Sequence, residues 1–235
     1  MRLPEPLRRG VVTRREKRFL SWGTLHDGRA VEAHCPNPGA MTSCWEPGGE
    51  AIFTEHDDPR RKLRFTWQAA RVGGAWVVVN TQLPNRLVEE ALLGDGVPGL
   101  DGARHLRREV VSPVGEGRFD HLIELGGEPV FVEVKGASWL AEPGVCAFPD
   151  AKTERGTRHL HTLAQLAQAG HKALILFVIC RDDARAVRPA REVDPRFADA
   201  LLRARDAGVG MLALRTTLQA EAGLWEIVGE GAVIL

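Results

Sequence analysis

Arg118-Phe-Asp-His-Leu-Ile-Glu-Leu-Gly-Gly-Glu-Pro-Val-Phe-Val-Glu-Val-Lys135 is the stretch whose reading organises the rest of the chain. Two β-rich runs flank Gly126-Gly127, a residue pair suited to the positive φ angles of a two-residue hairpin turn. With that turn, Leu125 pairs with Glu128, and the same register sets Asp120 opposite Glu133. Side chains alternate between faces, so Lys135 shares the face of Glu133 and Arg118 stands opposite Lys135. Phe119, Ile123, Val130, Val132 and Val134 are expected on the other face, while Leu122 and Phe131 add apolar character to the carboxylate face. A strand apolar on both sides belongs in the interior of a sheet, which puts the charges in a cleft.

Opposed residues have Cβ atoms about 4.5 to 5.5 Å apart, and two carboxylates that close repel unless a positive charge lies between them. A divalent cation answers that need. Two hard oxygen ligands with open coordination positions suit Mg²⁺, with Mn²⁺ as the alternative, and Asp120 and Glu133 are the expected metal ligands. Lys135 is placed to orient or help deprotonate a water for attack on a phosphodiester. Asp120, Glu133, Lys135 and Arg118 can equally form cross-strand ion pairs on a solvated face, and the spacing alone leaves both readings open.

Outward from the hairpin, the C-terminal part reads as mixed α/β. Asn85 to Leu93 is a short amphipathic helix, and strands are expected at His105 to Val111, Arg118 to Leu125 and Pro129 to Gly136. A helix from Thr153 to Ala169 stops at Gly170. Strand Lys172 to Ile179, helix Pro195 to Ala207 and strand Gly210 to Thr217 then form a strand-helix-strand unit. The first 80 residues or so read as five β segments, Gly10 to Leu25, Arg29 to Cys35, Ala51 to Glu55, Lys62 to Val72 and Ala75 to Asn80, with Gly73-Gly74 as a tight hairpin turn. Five strands suggest a small closed barrel, most commonly an OB-fold, with an SH3-like barrel as the alternative. The boundary falls near Gln82, dividing the chain into 1–82 and 83–235.

Lys plus Arg and Asp plus Glu both count 31, so net charge alone gives no argument for nucleic acid. The distribution does. Seven basic residues lie between Arg2 and Arg18 against Glu5 and Glu16, and Arg60, Arg61, Lys62 and Arg64 form a second cluster. Phe19, Trp22, Phe65 and Trp67 interleave with these cations, as on an OB surface that stacks bases, although barrel core explains most such aromatics. The expected nucleic-acid contacts of the barrel are Arg14, Arg15, Lys17, Arg18, Phe19, Arg61, Lys62 and Arg64. Cys35, Cys44, Cys146 and Cys180 form no CxxC pair, and His34, Cys35 and Cys44 fit no zinc-finger spacing, so free thiols are expected. The longest apolar run, Ala173 to Cys180, is far short of the roughly 20 residues of a membrane span, and the N-terminus has no apolar signal segment. A cytoplasmic protein is expected, with a homo-oligomer left open. No GxGxxG or Walker pattern supports a small-molecule metabolic role.

The Asp…Glu-x-Lys hairpin, preceded by an acid-bearing helix and followed by a strand-helix-strand unit, resembles the PD-(D/E)XK nuclease-like core. Over nearly its whole length the chain resembles the sugar fermentation stimulation protein A (SfsA) family. The matching segments are KRFL (17–20), HCPNPGAM (34–41), NRLVEEA (85–91), RFD (118–120), VEVK (132–135), FPDAKTERGTRHL (148–160) and RPAREVD (188–194). One departure is Pro38, where the family usually carries Thr or Ser. The resemblance implies an N-terminal OB-like domain, a nuclease-like C-terminal domain, nonspecific DNA binding, with RNA left open, and a bacterial link to sugar metabolism. It also implies that Glu90 corresponds to the helical acid of the nuclease core, whereas spacing alone allows an i, i+4 pair with Arg86. It draws Arg155 and His159 toward the site, with Arg155 on nucleic acid and His159 as phosphate donor or proton relay. Two functions follow: a DNA-binding protein with a metal-dependent phosphodiesterase centre, or a noncatalytic DNA-binding regulator on an inactive nuclease scaffold.

Overall fold

The computed structural model describes residues Met1–Leu235. Six strands form the first sheet: β1 (Leu7–Glu16), β2 (Leu20–Leu25), β3 (Ala30–His34), β4 (Gly49–Glu55), β5 (Phe65–Val72) and β6 (Ala75–Val78). The order β3-β2-β1-β4-β5 closes on itself through a parallel β3–β5 pairing, giving a five-stranded OB barrel, and β6 adds to the outer edge of β5. The segment Gly10 to Leu25, expected as one strand, is the β1–β2 hairpin. Its turn is built from Lys17 and Arg18 at φ 48° and 64°, residues that carry no turn signature. The β5–β6 turn is the expected one, with Val72 paired to Ala75 around Gly73-Gly74.

The second sheet holds β7 (Arg104–Val111), β8 (Arg118–Leu125), β9 (Glu128–Ala137), β10 (Trp139–Glu142), β11 (Val145–Phe148), β12 (Lys172–Ile179), β13 (Ala186–Pro189), β14 (Gly210–Gln219) and β15 (Leu224–Val233). Their order is β10-β11-β13-β15-β14-β12-β9-β8-β7, with β9, β12 and β14 parallel at the centre. Three helices, α1 (Leu83–Leu93), α2 (Glu154–Gln168) and α3 (Pro195–Asp206), complete this α/β unit. Strands β10, β11, β13 and β15 were not anticipated. The first three are four residues long, too short for alternation to register, and β15 is interrupted by Gly229 and Gly231.

Both faces of the central strands are covered, as a parallel sheet requires. On one face Val130, Val132 and Val134 pack with Leu174, Leu176 and Val178 under Leu83, Leu87 and Val88 of α1. On the other, Phe131, Ile175, Phe177 and Ile179 pack under Leu160 and Leu163 of α2 and Phe197 and Leu201 of α3. The first of these cores also takes in Ile52, Ala69 and Val78, so the barrel and the second sheet share buried apolar surface. Residues 1–3 lie on the C-terminal sheet, where the Leu3 amide donates to the Gly223 carbonyl at 2.8 Å and the Trp225 amide to the Met1 carbonyl at 2.9 Å. No helix is long and apolar enough to cross a membrane.

Candidate active site

The β8–β9 hairpin runs in the register set by Gly126-Gly127, from Leu125↔Glu128 to His121↔Val132, and there the ladder stops. Asp120 is therefore not a ladder partner of Glu133. Its carboxylate takes over the role of a backbone acceptor: the Val134 amide donates to Asp120 Oδ2 at 2.8 Å. Asp120 Oδ1 accepts from Asn85 Nδ2 of α1 at 2.6 Å. Across on β7, between the pairs Arg108↔His121 and Val110↔Phe119, Glu109 sits at φ 49°. The strict alternation expected of β8 breaks here: Phe119 lies in the α2-side core, 6.1 Å from the Phe131 ring, rather than with Ile123.

Strand β9 carries Glu133 and Lys135 toward α2. Glu133 is 3% exposed. Its Oε1 accepts from Lys135 Nζ at 2.5 Å and meets His159 Nδ1 at 2.5 Å, while Oε2 is buried with no partner. Lys135 keeps its ammonium at the edge of solvent. His159 is held at the correct point of α2 by the helix start. Thr153 Oγ1 caps the Gly156 amide at 3.1 Å, and Asp194 takes the Thr153 amide at 2.8 Å while capping Phe197 of α3 at 3.0 Å. The RPAREVD segment thus ends in the residue that ties the two helix N-termini together.

Burial, reinforced by the negative field of Glu133, pushes the Asp120 carboxyl up to about 6. Burial also works against ionised Glu133, but Lys135 and His159 outweigh it and hold that carboxyl below its usual range. At neutral pH both acids are therefore mostly ionised in one another's field, a repulsion that a cation between them would relieve.

Glu90 is a correction. Its carboxylate lies 3.1 Å from the Met1 amine, not in the Asp120 centre and not against Arg86. It stands five residues from Asn85, about 140° round the helix, so a helix face that presents Asn85 to Asp120 turns Glu90 away. The neighbouring acid Glu89, four residues from Asn85, pairs with Arg108 at 3.0 Å. Sequence reasoning missed Asn85, although it lies in the NRLVEEA segment, and it missed His121, fully buried with Nδ1 3.2 Å from His105 Nε2. Burial, with the charges of His105 and Arg108 adding, pushes His121 down to about 4.

The barrel residues divide. Arg15 spends its guanidinium on the carbonyls of Arg18, Asn37, Gly39 and Ala40. Arg18 donates to the Pro38 carbonyl at 2.7 Å, so residue 38 serves through its backbone while its side chain is exposed. Arg14 lies over the Trp22 ring at 4.1 Å, and Arg64 joins Arg8 and Arg29 on the buried carboxylate of Glu55. Arg61 reaches Thr66 Oγ1 at 3.2 Å. Phe19 is exposed and stacked on His34, whereas Phe65 and Trp67 are barrel core. Lys17 and Lys62 are exposed. Arg155 points along α2, with Nε 3.4 Å from His159 Nε2.

The four cysteines are buried free thiols, as expected. Cys35 and Cys44 bracket a loop that docks on the second domain. The Met41 amide donates to Asp150 Oδ2 at 3.0 Å, Ser43 Oγ bonds Leu140, and Arg181 bridges the carbonyls of Ser43 and Ser138.

Comparison with known proteins agrees with this architecture. Residues 13–79 match the family model described as the SfsA N-terminal OB domain, and residues 82–222 match the one described as the sugar fermentation stimulation protein RE domain. The sugar fermentation stimulation protein homolog of Acidithiobacillus ferrooxidans is 44% identical over 93% of this chain and 94% of its own. That of Geobacter sulfurreducens is 42% identical over 94% of each. The solved structure of Pyrococcus furiosus SfsA in complex with Ca²⁺ covers 100% of both chains at 30% identity with a TM-score of 0.87. With both of its domains matched in order and relatives alike over nearly all their length, the chain belongs to the sugar fermentation stimulation protein (SfsA) family.

Proposed function

We propose that this protein is a DNA-binding phosphodiesterase, with RNA as the alternative substrate, whose centre uses Mg²⁺ or Mn²⁺ held by Asp120 and Glu133. The observation that carries the reading is Glu133 Oε2, a buried carboxylate oxygen with no partner, on an acid within the field of the half-buried Asp120. Lys135 and His159 answer Oε1 alone, and a buried acceptor left without a partner costs free energy, so Oε2 is in place for a cation. The donor set fits one kind of ion. Two carboxylates as the side-chain ligands suit a hard cation that keeps several waters. The Ca²⁺ in the Pyrococcus relative, which is also a hard cation preferring oxygen, points the same way.

When bound, the ion would supply Lewis-acid stabilisation and a more acidic water. The chain's own residues do the rest. Asn85 and the Val134 amide fix the Asp120 carboxylate, and His159 fixes Glu133. Lys135, on the side of Glu133 nearest solvent, stabilises charge on the reacting phosphate or helps a water lose its proton. The test is cleavage of labelled DNA and RNA oligonucleotides with Mg²⁺ or Mn²⁺ by wild type and Glu133→Gln, beside calorimetric titration of Mn²⁺. Cleavage by wild type alone is expected. Metal binding without cleavage of any substrate would instead favour a noncatalytic DNA-binding regulator.

A further inference from the structure

The sequence directs attention to the barrel as the nucleic-acid surface, but several of its cations are already occupied. Arg15 is consumed by loop carbonyls, and Arg8, Arg29 and Arg64 converge on Glu55. The exposed side of α2 differs. A groove of about 570 Å³, lined without a single apolar residue, contains Arg118, Arg155, Arg158 and His159. It shares Arg158 and His161 with a second polar groove of about 630 Å³ that contains Lys152 and Arg196. The two therefore adjoin along α2. Of the arginines and the lysine in these grooves only Arg118 has a carboxylate within ion-pair range, Glu109 at 3.9 Å. The acids in the grooves are Glu116, Glu154 and Asp194, and Asp194 has both oxygens spent on the amides of Thr153 and Phe197. Cations thus outnumber carboxylates, and His159, which lines the groove, is the residue bonded to Glu133.

We infer that the phosphates of a nucleic-acid strand run along this α2 groove, against Arg118, Arg155 and Arg158 and on toward Lys152 and Arg196, so that the strand reaches Glu133 past His159. The inference deepens the phosphodiesterase reading and rests on it for the identity of the polyanion. From Arg155 to Gln165 the helix advances about 15 Å. That is the rise of about four nucleotides of a duplex strand. The guanidinium groups supply bidentate donors for phosphate oxygens, and contacts of this kind position a strand without reading its sequence.

The test is the affinity of the full-length protein for a fluorescent DNA oligonucleotide in EDTA, titrated over a range of salt, so that cleavage plays no part. Arg155→Ala combined with Arg158→Ala should weaken binding at least tenfold and flatten the log–log salt slope by about 2, the signature of two lost phosphate contacts. Both side chains are exposed, so the melting temperature should stay at the wild-type value. Lys17→Ala, Arg61→Ala and Lys62→Ala together should change affinity less than threefold. Wild-type affinity in the α2 variant, the loss appearing in the barrel variant instead, or no binding by wild type, each overturns the inference. A protein that binds through α2 and cuts nothing with Mn²⁺ upholds the track and removes the phosphodiesterase. One that cuts but binds through the barrel does the reverse.

Discussion

The Val134 amide donates to Asp120 Oδ2 at 2.8 Å, so a side-chain carboxylate completes the β8–β9 pairing where the backbone ladder ends. This contact, with Asn85 behind it, holds a half-buried acid beside Glu133 without an ion pair of its own. A cation binding there would relieve repulsion that the folded chain otherwise carries.

Mn²⁺, Mg²⁺ or Ca²⁺ should therefore raise thermal stability. At one hundred times the dissociation constant the gain is about 2.7 kcal/mol. For a chain of this size that corresponds to roughly 5 to 10 °C in melting temperature. Asp120→Asn and Glu133→Gln should each abolish the shift in a thermal melt. A Glu133→Gln protein stabilised as much as wild type would rule out the site.

The raised Asp120 pKa gives the metal-free protein a distinctive pH dependence. A carboxyl shifted up to about 6 favours the fold while protonated, and that advantage is lost as pH rises from the usual carboxylate range through 6. Over the same range buried His121, pushed down to about 4, acts in the opposite sense: its contribution is complete above the ordinary histidine value and is lost as pH falls through the acid range. Glu133, held low, likewise loses its contribution on acidification. The Asp120 effect is isolated by difference. Asp120→Asn should gain on wild type as pH goes from 4 to 8, by roughly 2 to 3 kcal/mol for a shift of about two units. Urea melts across that range in EDTA measure it, and a difference independent of pH would contradict the buried-acid account.

Lys135→Ala should separate binding from chemistry. Its ammonium donates to Glu133 Oε1 but is no ligand, so metal-induced stabilisation should survive while any cleavage rate falls about 10²- to 10⁴-fold. Equal loss of metal binding and cleavage would instead make Lys135 a positioning residue for Glu133.

Glu90→Ala should leave both metal binding and cleavage unchanged, because its partner is the Met1 amine. Asn85→Ala, which removes the donor to Asp120 Oδ1, should weaken metal-induced stabilisation. Calorimetric titration of the two variants side by side decides which α1 residue serves the centre.

Gly39→Ala probes the junction between the domains. A Cβ at residue 39 would stand 2.2 Å from both carboxylate oxygens of Asp150, the acceptor of the Met41 amide. Either the Asp150 carboxylate swings away and gives up the Met41 amide or the loop lifts, with a loss on the order of 1 to 3 kcal/mol. Asp150→Ala in the same protein should recover part of it, and strictly additive stabilities would show that the two positions do not touch.

The sequence alone determined the hairpin and the elements around it. Gly126-Gly127 fixed the register because a two-residue turn leaves one pairing, and the apolar periodicity of α2, α3 and β12 exceeded any local ambiguity. The segments HCPNPGAM, VEVK and RPAREVD were legible as a family pattern before their roles were. What the sequence did not carry was decided by contacts between residues far apart in the chain. The turn at Lys17 and Arg18 is supported by Arg15 bonding the carbonyls of Arg18, Asn37, Gly39 and Ala40, and no local signal encodes that. Alternation along β8 fails at Asp120 because its carboxylate is drawn to the Val134 amide and to Asn85. Charge runs looked alike in barrel and helix, yet Glu55 gathers Arg8, Arg29 and Arg64 and loop carbonyls take Arg15 and Arg18, while the α2 cations have little to neutralise them. A side chain's charge is written in the sequence, but whether that charge is free to meet a ligand depends on which partner folding brings to it.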